Sequence, residues 1–406
     1  MFRFPIQKLF IVTATSLVCL ISTSGCANKS SSTSGSTTSA PQGPAILIGE
    51  YGSMTGATAT FGKSTDNGIQ LAAEQMNADG GINGVPVSII LKDDESKAEQ
   101  ALTVVKLLIE QEHVTAILGE VASTRSINAA PECQSQHVPM ISPSSTNPKV
   151  TTLGDYIFRV CFIDPFQGYA AAKFAIQSIK AKNAAIFTDS TNDYSVGLSD
   201  VFKTQFSKLG GNIVIAQNYG KDDPDFKAQL IAIKSKNPDV LYVPGYYNNV
   251  GTIARQAREV GITCPLLGGD GWDSPELIKS AGGPGKALEG CYFTNHYSPT
   301  DPNPLTQRFV ADYKAKYGET PDSLAAMGYD AFGVLANALK TIGKPADGNF
   351  DSDSYRAKLR DAIAATNGFA GVTGKITLDK NRNAVKPAVV LQVKGNTFTY
   401  VTSIAP

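Results

Sequence analysis

The sequence carries no excess of either charge, and it is poor in histidine. Its 36 basic and 36 acidic residues cancel, so no positive field is present to hold a polyanion, which argues against nucleic acid as a partner. Only three histidines occur, His113, His137 and His296, and none lies in an HExxH pattern. No two cysteines show CxxC spacing. Because metal sites are built from clustered ligands of these types, we expect no metal.

Motifs that carry common enzyme chemistries are also missing. No GxSxG elbow is present, and no GxGxxG follows the first apolar strand, so a serine hydrolase and a dehydrogenase each lack their central part. The stretch GATATFGKS is similar to a phosphate-binding loop, but five residues separate Gly56 from Gly62, where that motif has four. We therefore expect a protein that is not an enzyme and that holds no cofactor.

The N-terminus has the pattern of an export signal. Arg3 and Lys8 precede an apolar stretch over residues 9–21, which is shorter than the roughly 20 residues of a membrane-spanning helix. No later apolar run is long enough to span a bilayer. Residues 1–25 are therefore predicted to be a signal peptide, which places the mature protein in the periplasm or cell envelope.

Cys26 and its neighbours resemble a bacterial lipoprotein processing site, in which a small residue precedes a cysteine and a polar tract follows. This resemblance implies a lipid on Cys26 and a Ser/Thr-rich tether over residues 26–44 that holds the protein at a membrane surface. Thr23 stands where that pattern usually has leucine, and ordinary cleavage by signal peptidase nearby is the alternative.

Four cysteines remain once Cys19 and Cys26 are assigned to the signal and its processing site. An even number in an exported chain predicts disulfides, and four cysteines allow three pairings, among which the sequence does not choose. We favour local pairing, because each pair would flank one strand–helix unit: Cys133–Cys161 and Cys264–Cys291.

After the polar tract, short apolar runs alternate with amphipathic stretches. AILIGEYG predicts a buried strand, whereas residues 61–77 carry Ile69, Ala72, Ala73 and Met76 on one stripe and predict a helix. Repeated strand–helix–strand units predict parallel sheets with right-handed crossovers and helices on both faces. About ten strands in two runs are too many for one open sheet, so the predicted fold class is α/β with two doubly wound lobes.

The last third of the chain changes character. Three helical stretches follow one another closely, and a β-hairpin then closes the chain, with DKNRN and KGN as its turns. Helices that come after two α/β runs predict a chain that returns to cover the first lobe.

Loops after the carboxyl ends of parallel strands are where such sheets bind their ligands. Here these loops are rich in hydroxyl, aromatic and glycine residues, which suits a small polar ligand with an apolar body. They read GSMTGATATFG, GEVASTRS, SPSSTNP, DSTNDYS, PGYYNN and GGDGWDS.

The combination of GSMTGATATFG, DGGINGVPV, ISPSSTNP, VGLSDVF and GGDGW, in this order, resembles the type I periplasmic binding proteins of the branched-chain amino-acid transport class. The resemblance runs from residue 45 to the C-terminus. It implies a Venus-flytrap fold whose lobes, joined by three crossing strands, comprise 45–163 plus 297–375 and 164–296 plus 376–406. It also implies a function: capture of a small α-amino acid, such as a branched-chain one, for the permease of an ABC importer. We expect a monomer.

The family's binding positions match residues in these loops. Ser123 matches the serine that holds the ligand carboxylate, and it starts a helix whose free N–H groups favour an anion. Ser144 and Thr146 match positions that contact the α-amino and α-carboxyl groups. On the simpler alternative, Ser123 only caps its helix and the loop of the other two is a plain Pro/Ser turn.

The second lobe is expected to supply an acid and aromatic rings. Asp270 matches the position of an acid that pairs with the ligand ammonium, and a carboxylate in a closing cleft is costly unless a cation meets it. Tyr194 and Tyr246 match tyrosines that close over the ligand, with buried core tyrosines as the alternative. Phe61 stands where a tyrosine is common, and Trp272, two residues past Asp270, is expected to line or narrow the pocket.

Other interpretations stay open. Arg125 either faces solvent, which we favour, or receives a second ligand carboxylate. His296 either bounds a strand or reaches the cleft. The same cleft also suits a binding protein that reports amides, urea or aromatic acids to a sensor. An extracellular enzyme would instead use Asp270 with Asp189 or Asp193 as acid and base.

Overall fold

A computed structural model describes residues 45–406 of the chain. The predicted signal peptide, Cys26 and the tether lie outside the described residues. Within residues 45–406, no helix combines the length and the hydrophobicity needed to cross a bilayer.

Fourteen strands form between residues 45 and 406, and most are short apolar runs. In chain order they are Ile46–Gly52 (β1), Val87–Asp93 (β2), Ala116–Leu118 (β3), Met140–Ser142 (β4), Ile157–Arg159 (β5), Asn183–Asp189 (β6), Asn212–Tyr219 (β7), Val240–Tyr242 (β8), Leu266–Gly268 (β9), Tyr292–Asn295 (β10), Phe369–Gly371 (β11), Gly374–Ile376 (β12), Ala388–Lys394 (β13) and Thr397–Ile404 (β14).

Twelve α-helices lie between these strands in the same part of the chain. In chain order they are Ala59–Ala78 (α1), Ala98–Glu110 (α2), Ser123–Ser135 (α3), Lys149–Thr152 (α4), Asp164–Phe174 (α5), Asp193–Lys208 (α6), Lys227–Lys234 (α7), Tyr247–Glu259 (α8), Pro275–Ser280 (α9), Pro304–Tyr317 (α10), Ser323–Ile342 (α11) and Asp353–Ala364 (α12).

The first sheet has five parallel strands in the order β2-β1-β3-β4-β5. One face packs against α1 and α11 through a cluster that includes Ile48, Ile69 and Leu335. The other face packs against α2 and α3 through Ile117 and Val105. Both faces are therefore covered, as parallel sheets require.

The second sheet has seven strands in the order β7-β6-β8-β9-β10-β13-β14. The strands from β7 to β10 are parallel, whereas β13 runs antiparallel to β10 and β14 antiparallel to β13. Helices α5 and α6 cover one face, and α7, α8 and α9 cover the other. The predicted α/β class with two doubly wound parallel sheets is confirmed, and the closing hairpin extends the second sheet.

The predicted return of the chain to the first sheet is carried by α11. This helix is buried on most of its circumference and packs against α1, where Gly68 lies so close to the carbonyl of Ala325 that a side-chain methyl would overlap it. Residues 379–383 also lie on the first sheet, because Arg382 donates to the carbonyls of Ile157 and Thr151. The chain therefore leaves the first sheet for the last time just before β13.

The predicted disulfides are wrong in this structure, in which all four cysteines of the described residues are free thiols. Cys133 packs with α2 and α3 on one face of the first sheet, whereas Cys161 belongs to the apolar cluster on the opposite face. The sheet separates these two residues. In the second predicted pair, Cys291 Sγ instead accepts hydrogen bonds from Arg258 Nη2 and the backbone N of Leu266, each at 3.3 Å.

Candidate functional site

Six loops at the carboxyl ends of parallel strands meet between the two sheets. The first sheet contributes the loops after β1, β3 and β4, and the second contributes those after β6, β8 and β9. Side chains of the two sets touch, because Phe61 lies edge-on to Tyr246 and Tyr247 with ring centroids 5.8 and 4.9 Å apart. The loops therefore enclose a cleft whose two walls are in contact.

The wall from the first sheet presents the three predicted hydroxyls, Ser123, Ser144 and Thr146, all of them buried. Ser123 is the first residue of α3, and Ala122 rather than Ser123 occupies the N-cap position. Its Oγ accepts a hydrogen bond from the backbone N of Asn147 at 3.2 Å, which joins the loops after β3 and β4. Ser123 thus lies at the positive end of the helix, where an anion is favoured.

Ser144 and Thr146 differ from Ser123 in having no hydrogen-bond partner for their side-chain oxygens among the described residues. Leaving a buried hydroxyl unpaired costs about 1–3 kcal/mol. The guanidinium of Arg159 stabilises the loop that contains Ser144 and Thr146, because it donates to the backbone carbonyls of Ser145 and Asn147. The two oxygens are therefore fixed in place and fit a polar group brought by a ligand.

The wall from the second sheet is centred on Asp270, in the short helical turn after β9. Its Oδ1 accepts hydrogen bonds from Gln167 Nε2 at 2.7 Å and from Tyr194 Oη at 2.9 Å, and its Oδ2 lies 3.0 Å from His296 Nε2. Burial, opposed by the bond to Asp270, lowers the pKa of His296 and so favours the neutral imidazole. Neutral groups thus orient the Asp270 carboxylate without supplying a counter-charge.

Asp164 is a second acid of this wall, and sequence reasoning missed it. It is the first residue of α5, it is fully buried, and neither carboxylate oxygen has a hydrogen-bond partner among the described residues. Burial and the nearby charge of Asp270 raise the pKa of Asp164 to about 7, against the lowering effects of the neighbouring Thr146 hydroxyl and of the Arg159 charge. The only sequence signal was an acid directly before Pro165, which is equally typical of an ordinary helix start.

Gln167 and His296 also belong to the site through their bonds to Asp270. His296 follows β10 and packs on Phe162 with the two rings tilted and their centroids 3.8 Å apart, and its bond to Asp270 brings it to the loop after β9 rather than leaving it only at the end of a strand. Gln167 lies one helical turn after Asp164, and no motif marked it. A polar residue one turn beyond an acid would have been the available signal.

Aromatic rings close the cleft opposite the hydroxyls. Tyr194 and Tyr246 stack with their rings parallel and their centroids 5.2 Å apart, and Phe61 of the other wall meets Tyr246 edge-on. Trp272 is fully buried, and its indole N donates to the carbonyl of Val243 at 3.0 Å. Trp272 therefore packs in the core of the second sheet, beneath the loop that holds Asp270.

The expectation that Arg125 faces solvent is wrong. Its side chain is buried, with Nε 3.1 Å from Glu120 Oε1 and 3.7 Å from Asp94 Oδ2, and its Nη2 donates to Thr58 Oγ1 at 2.9 Å. Burial, opposed by the charge of Arg125, raises the pKa of Glu120 to about 8. The first turn of α3 points into the sheet edge where these acids lie, so Arg125 already has acidic partners within the first half of the molecule.

The acids proposed as catalytic partners of Asp270 lie in other contacts. Asp189 accepts hydrogen bonds from the backbone N and the hydroxyl of Thr191. Asp193 lies 3.1 Å from Lys149 Nζ and accepts a hydrogen bond from Thr124. Within residues 45–406, neither acid bonds to Asp270, and no group of three or more His, Cys, Asp or Glu side chains is placed to hold a metal.

Comparison with known proteins gives one family match. A family model described as periplasmic binding protein matches residues 45–397. Among curated relatives, an amino acid binding protein of Pseudomonas aeruginosa is 32% identical over 302 residues, which cover 73% of this chain and 79% of the relative.

Solved structures agree with this match. A leucine binding protein LivK from Thermotoga maritima is 41% identical with a TM-score of 0.82, and the match covers 89% of this chain and 99% of that one. A branched-chain amino acid transporter substrate binding protein LivJ from Streptococcus pneumoniae, in complex with isoleucine, is 32% identical with a TM-score of 0.82, covering 89% of this chain and 100% of that one.

Proposed function

The chain belongs to the periplasmic binding protein family, and from that premise we propose that it captures an α-amino acid in the cleft and delivers it to an ABC importer. The names of its relatives, an amino acid binding protein and a leucine binding protein, support this function. So does the isoleucine complex of its structural neighbour. The protein acts outside the cytoplasm, as its family does, and we propose that it releases its ligand unchanged.

The observation that carries the proposal is the pair of buried acids, Asp164 and Asp270, beside the hydroxyls of Ser144 and Thr146. Two carboxylates in a closed cleft are unfavourable unless a cation reaches them. Their hydrogen-bond partners within residues 45–406 are neutral. A ligand ammonium would supply the missing positive charge and would donate to the unpaired oxygens.

The other end of the ligand follows from the same geometry. The ligand carboxylate would lie at Ser123 and the backbone N–H groups of the first turn of α3, because the N-terminus of a helix favours an anion. The side chain would then extend towards Phe61 and Tyr246, whose rings meet across the cleft. Because Arg125 is already matched by Glu120 and Asp94, we propose that the ligand carries one carboxylate and not two.

The alternative ligands lack the feature that this site demands. Urea and simple amides carry no charge, and an aromatic acid carries only a negative one. Each would leave Asp164 and Asp270 without a cation in a closed cleft. We therefore rank them below an α-amino acid, and they enter the binding experiment as competitors.

The lobes of the proposed hinge follow the two sheets. We propose that 45–163 with 297–375 and 164–296 with 376–406 move as units, an assignment supported by the separate strand orders of the two sheets. The contacts of residues 379–383 with the first sheet favour a third crossing slightly later, next to Lys386. Closure would be a hinge motion whose population the ligand shifts.

We also propose that Cys26 carries a lipid and that the mature protein is a monomer tethered to a membrane surface. The small residues before Cys26 and the Ser/Thr tract after it support this. The test is incorporation of radiolabelled palmitate in cells. A signal in the natural sequence that disappears in Cys26→Ser would support the anchor, and an unlabelled natural protein would contradict it.

The function is tested by thermal unfolding of residues 45–406 after unfolding and refolding to remove bound solute. We would screen the twenty amino acids, urea, short amides and benzoate. A ligand at 100 times its dissociation constant stabilises a protein by about 2.7 kcal/mol, which raises the melting temperature clearly.

A rise with neutral aliphatic amino acids, and none with glutamate or aspartate, is the expected result. A rise only with benzoate or an amide would overturn the ligand class. Conversion of the ligand during incubation, followed by NMR, would overturn the proposal that the protein does not react with it.

A further inference from the structure

A contact across the cleft joins Asp273 to the start of α11. Asp273 follows the loop of Asp270 in the second half of the molecule, and its Oδ2 accepts a hydrogen bond from the backbone N of Ser323 at 2.8 Å. The hydroxyls of Thr60 and Ser274 meet 3.0 Å apart beside it. These bonds connect elements of different sheets, so a hinge motion that separates the two sheets would break them.

A second carboxylate lies at the same helix end. Asp322 is the N-cap of α11, and its Oδ1 accepts hydrogen bonds from the backbone N of Ala325 at 3.0 Å and from Ser64 Oγ. Ser323, which binds Asp273, is the next residue along the chain. Closure therefore brings the acid of the second half against the acid of the first.

Among residues 45–406, no basic side chain forms a hydrogen bond or an ion pair with either of these two acids. Asp273 is buried and its side-chain partner is neutral, Asn295 Nδ2 at 2.9 Å. The charged groups that act on the pair are themselves acidic, namely Asp270 and Glu319. Tyr297 and Tyr313 face Asp322, and the neutral His296 lies near Asp273.

The electrostatics of the pair follow from this arrangement. Burial and the charge of Asp273 raise the pKa of Asp322 to about 7, and burial raises the pKa of Asp273 as well. A carboxyl with a raised pKa binds a proton that the exposed, open form would release. Such a pair would favour the closed state below pH 7, and this advantage would be lost as the pH rises through 7.

The opposite side of the cleft is built differently. There Asp193 of the second half meets Lys149 Nζ at 3.1 Å and the hydroxyl of Thr124, both from the first half. This contact between the halves contains its own cation. Asp193 therefore provides a matched control, namely an acid that contacts the other half of the molecule with a cation as its partner.

We propose that closing the cleft takes up about one proton, shared between Asp273 and Asp322, so that capture of the solute is linked to pH. This inference rests on the proposed function, because it assumes that solute binding closes the two halves. With a closed-state pKa of about 7, the pair would make binding up to about 30-fold tighter at pH 5.5 than at pH 8.5.

Two other groups of the cleft titrate in the same range and must be separated from this pair. Asp164, with a pKa of about 7, would lose a proton when an ammonium arrives, which has the opposite sign. Glu120, with a pKa of about 8, keeps its partner Arg125 throughout. Comparing variants, rather than reading the pH profile of one protein, isolates the pair.

The test is titration calorimetry of residues 45–406 with L-isoleucine at pH 6.0, in phosphate and in Bis-Tris. The slope of the binding enthalpy against the buffer's ionisation enthalpy counts the protons taken up. We expect Asp322→Asn, which retains a good N-cap side chain, to take up about one proton fewer than the natural sequence. Asp193→Asn should match the natural sequence. Equal proton counts in Asp322→Asn and the natural sequence would overturn the proposal.

A chain that binds no amino acid would overturn the proposed function, and the proton linkage would then be decided without ligand. Small-angle X-ray scattering at pH 5.5 and 8.5 reports the open and closed populations directly. A smaller radius of gyration at pH 5.5 in the natural sequence, abolished in Asp322→Asn, would support the linkage. The same pH response in both proteins, or none in either, would overturn it.

Discussion

Two buried charged clusters flank the cleft, one in each half, and they differ in whether they contain a cation. In the first half, Arg125 lies between Glu120 and Asp94, within 3.1 and 3.7 Å of their carboxylate oxygens. In the second half, Asp164 and Asp270 have only neutral hydrogen-bond partners or none among the described residues. The guanidinium of Arg159, whose charge acts on Asp164, is itself bonded to backbone carbonyls.

This difference separates a structural cluster from a binding cluster. In a buried ion cluster that contains its own cation, the charges are compensated in the folded chain, and removing the cation leaves the acids buried without a counter-charge. Two buried acids without a cation gain a compensating charge only when a positively charged ligand binds. Mutations in the first cluster should therefore change folding, whereas mutations in the second should change binding.

The largest effect is expected for Arg125→Met, which keeps the length of the side chain but removes the charge. Glu120 and Asp94 would remain buried without a base, so the free energy of unfolding should fall by about 3–5 kcal/mol. Urea denaturation at pH 7 measures this change. Arg255→Met, which breaks an exposed pair with Glu259 on α8, serves as the control and should cost under about 1 kcal/mol.

An Arg125→Met protein that is as stable as the natural sequence, but no longer binds isoleucine, would reverse the assignment of this cluster. Arg125 would then contact the ligand, and glutamate or aspartate would return as candidate ligands. A loss of stability with little change in the affinity of the folded protein is the outcome that the ion contacts support.

Asp270→Ala should give the next largest effect, this time on affinity. Removing one member of a buried charged pair weakens binding by about 2–4 kcal/mol, which is roughly a 30- to 1000-fold rise in the dissociation constant for isoleucine. Calorimetry measures it. Asp200→Ala, at an exposed position on α6, controls for the loss of an acid and should bind normally.

An unchanged dissociation constant in Asp270→Ala would remove the ammonium role from this residue. If Asp164→Ala then abolished binding, the acid that follows the first crossing strand would be the main cation site. The difference between the two clusters would still hold in that case, but the ligand ammonium would bind mainly to Asp164 at the start of α5.

The sequence predicted the elements of both clusters better than their contacts. A short apolar run placed β1 and a period of 3.6 residues placed α1 almost to their ends, and the loops after parallel strands contained Ser123, Ser144, Tyr194 and Asp270. The fold prediction succeeds because the alternation of strands and helices determines which loops share a sheet edge, whereas the ligand contacts of these four residues stay a prediction. Assigning a residue to one of those loops requires only its position in the sequence and no distance between residues.

Contacts between residues far apart in the sequence could not be predicted from these local patterns. Arg125 looked exposed because its partner Asp94 lies 31 positions earlier, at the end of another strand. Cys133 and Cys161 looked paired because local spacing does not show which face of a sheet a residue joins. Asp164 was missed because an acid before proline is an ordinary helix start until burial removes water from it.

The smallest expected effects come from removing one hydroxyl from each wall. Tyr194 Oη donates to Asp270 and accepts from the backbone N of Gly271 at 3.2 Å, whereas Thr146 Oγ1 has no partner in residues 45–406. Tyr194→Phe should therefore lower the free energy of unfolding by about 1 kcal/mol. Thr146→Val should leave it unchanged or slightly higher, because a buried unpaired hydroxyl is lost.

The same two variants should rank in the opposite order for affinity. Thr146→Val removes an acceptor that an ammonium would use, so isoleucine binding should weaken by about 1.5–3 kcal/mol. Tyr194→Phe only loosens Asp270, which Gln167 and His296 still hold, so the loss should stay near 1 kcal/mol. Urea denaturation and calorimetry on both proteins give the two orders. If stability and affinity fell together in both variants, the hydroxyl of Thr146 would contribute to folding as well as to binding. Its unpaired oxygen would then no longer indicate where the ligand lies.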